Sequence, residues 1–182
     1  MWNRYGLPIA VIGLGLTASL VSYEVAYARR DRDYSPREFR TVLHGFGYNV
    51  TVKDEPLTDQ ETINAIRDFQ RGYKLPIDGV AGPQTQDLAA LLVKILQANL
   101  NLVLNPSPAL PRTQFYGPST EAAVRQYQQQ NGLPVTGIAT LQVRQQIDDE
   151  ATRILNNQAP SPSPSPRPAP VPAPAPSPNP SR

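Results

Sequence analysis

The chain has 182 residues, no cysteine and one histidine, so a disulfide framework, a thiolate nucleophile, a Cys-based zinc site and a multi-histidine metal centre are all excluded. The formal charge of +2 sums unlike parts: between Tyr34 and Leu155 there are 11 Lys/Arg against 12 Asp/Glu, a net of −1, and the basic excess sits at Arg29, Arg30, Arg32, Arg167 and Arg182. With no concentrated basic face, nucleic acid is excluded as a partner.

Residues 1–28 form the first unit. The uncharged stretch from Tyr5 to Tyr23 would measure roughly 28 Å as a helix, barely enough for a hydrocarbon core. It is followed by Ala26-Tyr27-Ala28, the small-x-small pattern that precedes signal-peptidase cleavage. A cleaved secretory signal, an uncleaved N-terminal anchor and a buried core helix all fit. Arg29, Arg30 and Arg32 just beyond the run favour a cytoplasmic flank and weigh against export.

The middle repeats itself. A shift of 58 positions aligns Thr62–Ala81 with Thr120–Ala139 without a gap, with eight identities: Thr62/Thr120, Ala65/Ala123, Arg67/Arg125, Gln70/Gln128, Leu75/Leu133, Pro76/Pro134, Gly79/Gly137 and Ala81/Ala139. Such a period marks a duplicated supersecondary unit. In the first copy a leading helix is expected over Pro36–Phe46. Thr58 or Asp59 then caps a helix whose apolar stripe is Thr62, Ala65, Ile66 and Phe69. Gly72 lies where that helix can end, and "LPIDG" gives an ordered turn through Pro76 and Gly79, with Val80 turning back into the core. A third helix opens at Gly82-Pro83.

The second copy follows the same plan. It has a leading helix over Lys94–Leu104, a cap at Ser119 or Thr120, the stripe Thr120, Ala123, Val124 and Tyr127, and Gly132 at the helix end. The turn "LPVTG" then passes through Pro134 and Gly137 to Ile138 and a closing helix from Thr140. The expected fold is all-α: two tandem three-helix units, 34–93 and 94–155, packed together because each is marginal alone.

These residues resemble a known family. "AIRDFQRGYKLPIDGVAGPQT" (Ala65–Thr85) and "YGPSTEAAVRQYQQQNGLPVTGIAT" (Tyr116–Thr140) are similar to the peptidoglycan-binding-domain-1 family. The resemblance implies a small three-helix module that is exported and binds cell-wall glycan or its stem peptides without a cofactor, usually beside a wall-active enzyme. It departs at Thr136, where the family prefers Asp or Asn, and at Thr58–Thr62, where a Gly-Pro-x-Thr element is expected. On this reading the protein is extracytoplasmic and meets a membrane only through its first segment.

Phe69 and Tyr127 complete the stripes and belong to the core; Pro76, Gly79, Pro134 and Gly137 make the turns. Arg67 and Arg125 recur in register and could hold acidic stems. Asp78 braces its turn or touches ligand, and Tyr73, Lys74 and Asn131 stand on the loop where a sugar could be met. No catalytic residue is expected. His44 lacks a partner, Glu121 in a helical first turn answers to the helix dipole, and no serine acyl-transfer signature occurs. Two other functions fit the chain, an adaptor docking another envelope protein and a wall hydrolase with an unfamiliar site. The tail, 158–182, has Pro at every even position from 160 to 180, which holds polyproline II and forbids helix or sheet.

Overall fold

A computed structural model of the protein describes residues 30–158; the N-terminal signal-or-anchor segment and the Pro-rich tail lie outside the described residues. Among the described residues the structure is all-helical. Helix α1, Pro36–Gly45, starts on a capping box: Ser35 Oγ accepts from the Glu38 N–H at 3.3 Å and Ser35 N–H donates to Glu38 Oε2 at 2.8 Å. Helix α2, Gln60–Gly72, is capped by Asp59, which accepts from Thr62 N–H at 3.1 Å. Helix α3 runs Pro83–Leu104, α4 Pro118–Gln130 and α5 Leu141–Gln158.

The two stripes are buried as the repeat requires. Thr62, Ala65, Ile66, Phe69 and Gln70 are buried in α2, and their counterparts Thr120, Ala123, Val124, Tyr127 and Gln128 are buried in α4. Two tandem units are present, but they are not joined by a loop. The closing helix of the first and the leading helix of the second are one 22-residue helix, α3, about 33 Å long. Between Leu96 and Leu104 no Pro or Gly interrupts the helix, so nothing stops it until Asn105 takes a left-handed conformation at φ 45°. Its buried face, including Ala89, Ala90, Val93, Leu96 and Leu100, feeds one continuous core that also takes Phe39, Leu43, Phe69, Tyr127 and Ile147. Helix α3 packs against α5, α4 and α1. It is also, among the described residues, the one helix long and apolar enough to cross a membrane, by length and composition only, with 33% of its apolar window buried.

Helix α2 ends at Gly72 as expected, and the left-handed residue beyond it is Lys74, φ 58°, matching Gly132, φ 64°. Two local expectations are corrected. The cap of α4 is Gly117 with no side-chain bond, because Pro118 already opens the helix and the Thr120 hydroxyl is used inside. Val80 is 59% exposed; the chain re-enters the core at the next residue, Ala81 or Ala139.

Candidate functional site

Each Leu-Pro-x-x-Gly turn is tied down by one buried glutamine. Gln70 accepts from Gly79 N–H at 2.9 Å and donates to Asp78 Oδ1 at 2.7 Å, the Val80 carbonyl at 3.0 Å and Thr85 Oγ1 at 3.2 Å. Gln128 accepts from Thr136 and Gly137 N–H at 2.9 and 2.8 Å and donates to Thr136 Oγ1 and the Ile138 carbonyl at 3.1 and 3.0 Å. Asp78 and Thr136 are therefore interchangeable here. Each accepts from the glutamine and from the N–H two residues on, at 2.8 Å for Asp78 and 3.1 Å for Thr136. The Val80 N–H, followed by Gln70, holds the Asp78 carboxyl below the usual range.

Glycine is required in both turns. Gly79 and Gly137 sit at φ 76°, and a Cβ on Gly137 would lie 2.7 Å from Glu121 Cγ and 2.9 Å from Arg125 Nε. That packing also explains why Arg67 and Arg125 recur. Arg67 lies over Gly79, 3.0 Å from where a Cβ would be, while Arg125 pairs with Glu121 at 2.7 Å and donates to the Val135 carbonyl at 3.2 Å. Both arginines lie on their own turns. Tyr73 is half-buried against Phe69, ring centroids 4.9 Å apart, and its hydroxyl accepts from Arg144 at 3.0 Å. Lys74 is exposed, and Asn131 donates to the Tyr127 carbonyl at 3.0 Å. The six residues singled out from the sequence thus fall into separate groups: Arg67 with Asp78 on one turn, Arg125 on the other, Tyr73 at the contact between units, Lys74 and Asn131 at two helix ends.

Behind each stripe helix a second buried polar residue fixes the preceding loop. Arg40, fully buried, donates to Thr62 Oγ1 at 2.9 Å, to the carbonyls of Lys53 at 3.1 Å, Pro56 at 2.9 Å and Glu55, and to Asp59 Oδ2 at 2.6 Å. In the second unit Gln97 takes this place, donating to Thr120 Oγ1 and the Phe115 carbonyl at 3.0 Å each and accepting from Thr113 N–H at 2.7 Å.

The units also grip one another. The end of α1 lies under Tyr116, so close that a Cβ on Gly45 would be 2.6 Å from its ring. Ala139 N–H donates to the Gly45 carbonyl at 2.8 Å, and Arg144 stacks on Phe46 at 4.3 Å while donating to the Phe46 carbonyl at 3.3 Å and the Ala139 carbonyl. At the entry of the chain, Asp31 and Arg32 N–H donate to Gln114 Oε1 at 2.6 and 3.3 Å, and Gln114 donates back to the Arg32 carbonyl at 2.9 Å.

Beside this contact lies an open groove of about 680 Å³ lined by His44, Gly47–Val52, Glu61 and, from the second unit, Ile138. Its wall, Gly47–Val52, is non-helical, with Asn49 and Thr51 exposed, Val50 buried and Val52 half-buried, the alternation of extended chain. Thr51 Oγ1 donates to Glu61 Oε1 at 3.2 Å. Tyr48 turns inward, edge-on to Phe69 at 5.8 Å, and burial pushes its phenol up to about 12. Sequence reasoning set no ligand residue here. The signal available was "HGFGYNVTV", an aromatic and polar run between two helices with no helical period of its own.

The family model described as Putative peptidoglycan binding domain matches the chain twice, over residues 32–88 and 90–147, most of the described residues. No curated protein and no solved structure gave a match.

Proposed function

Because the chain belongs to the peptidoglycan-binding-domain-1 family in both of its units, we propose that it is an exported, non-catalytic protein that holds cell-wall peptidoglycan. The observation that carries the reading is the double family match on a fold whose two turns are built alike. Export follows from the ligand, which lies outside the cytosol, and the N-terminal apolar segment supplies the route as a signal or an anchor. The absence of catalysis is supported by where the most perturbed carboxylates lie. Glu38, lowered to about 2, is held by Arg32, and Asp59 is held down by Thr62 and Arg40. Both hold helix starts together.

Co-sedimentation of the protein with purified sacculi tests the reading. Pellet retention that survives moderate salt is the expected result. Retention lost at moderate salt, or none, overturns it in favour of an adaptor that docks another envelope protein. Sustained clearing of a wall suspension by the pure protein would overturn the non-catalytic part and make it a hydrolase.

A further inference from the structure

One wall of the groove is left without backbone pairing among the described residues. From Asn49 to Val52 no main-chain N–H or C=O is hydrogen-bonded to any described residue, although the flanking groups are engaged: Tyr48 N–H donates to the Leu43 carbonyl at 3.0 Å, and the Lys53 carbonyl accepts from Arg40. Four successive residues of extended chain beside a groove offer an open edge to which another extended backbone can add. The other features of the groove agree with a peptide rather than a sugar. Its tyrosine, Tyr48, is half-buried and turned edge-on to Phe69 rather than laid out along the groove as a stacking platform. Its carboxylate, Glu61, is set at the wall by Thr51, while His44 and Asn49 stand exposed as further polar partners.

We propose that this groove binds the peptide stem of peptidoglycan in extended form, pairing it along Asn49–Val52, receiving a free amino group of the stem at Glu61 and covering an apolar side chain with Ile138. The choice of peptide rests on the peptidoglycan reading above. Because Ile138 comes from the second unit, the site is a single composite one, not one site per repeat.

The test uses the full chain, labelled for amide NMR, and a synthetic stem pentapeptide containing a diamino acid with its side-chain amine free. A matching peptide with that amine acetylated and a peptide-free chito-oligosaccharide are run beside it. Saturable shifts confined to the amides of residues 47–52 and Ile138 are expected with the free-amine peptide. Glu61→Gln should weaken that peptide about threefold, the range of a solvent-exposed ion pair, and leave the acetylated peptide unchanged. Equal shifts of these amides by the oligosaccharide, or peptide shifts located elsewhere, would overturn the proposal. An unaltered affinity in the Glu61→Gln protein would overturn the role given to Glu61. Retention on sacculi without any response to the soluble peptide overturns this inference and leaves wall binding standing; failure of both overturns both.

Discussion

At the residue scale, recurrence in this sequence reports construction. Gln70 and Gln128 recur because each satisfies the polar groups of a turn from inside the core, and Thr136 can replace Asp78 because a hydroxyl accepts the same two bonds. Gln128→Ala leaves the Thr136 and Gly137 N–H groups and the Ile138 carbonyl without that partner and should cost about 2–3 kcal/mol in urea denaturation. Lys74 is the converse case. A side chain at φ 58° costs about 1–2 kcal/mol, and the second unit already has Gly132 there. Lys74→Gly should therefore raise the urea midpoint by a net ~0.5–1 kcal/mol, after the entropy a glycine loses on folding, with the slope unchanged. If the Lys74 ammonium contacts the wall, the same variant also loses retention on sacculi.

At the element scale, the helices were legible wherever period and punctuation agreed. The stripes Thr62–Phe69 and Thr120–Tyr127 and the Gly82-Pro83 start read correctly, and Asp59 is one of the two caps expected for α2, since each depends on side chains close together along one helix. The fusion of two helices into α3 was hidden, because a repeat frame suggests a boundary near Lys94 while the local sequence has no stop signal there. The groove was hidden for a related reason. Comparison of the copies selects what they share, and the positions matching Asn49–Val52 at the 58-residue shift, Ser107–Leu110, carry nothing similar. Buried Arg40 was illegible too, as its partners are carbonyls of a loop 13 to 16 residues away plus Thr62 and Asp59. A consequence of α3 follows. Fragments 30–93 and 94–158 each lose half of that helix and one side of the core, so circular dichroism of either alone should show far less helix than its share of the whole.

At the scale of the whole molecule, one core implies one unfolding event: far-ultraviolet dichroism and tyrosine fluorescence should give coincident denaturation curves. The pH dependence has a definite sign. Glu38, Asp59 and Asp78 are all lower in the folded state, so their stabilisation is complete above the unfolded carboxylate range, near 4 to 4.5, and is lost as pH falls toward 2. Tyr48 and Tyr127 are pushed up to about 12 by burial, so a second loss is expected as pH rises from 10 to 12. Thermal midpoints measured across this span should form a plateau with both shoulders; a midpoint that holds from pH 5 to 2 would contradict the ion pairing described for Glu38. The shared helix also makes residue number a phase angle. A single amino acid inserted midway along α3 would rotate everything downstream by about 100° and push it about 1.5 Å outward, unkeying Tyr116 from Gly45 and swinging Ile138 off the groove. The same insertion at Ala109, in the loop beyond, would be taken up as slack.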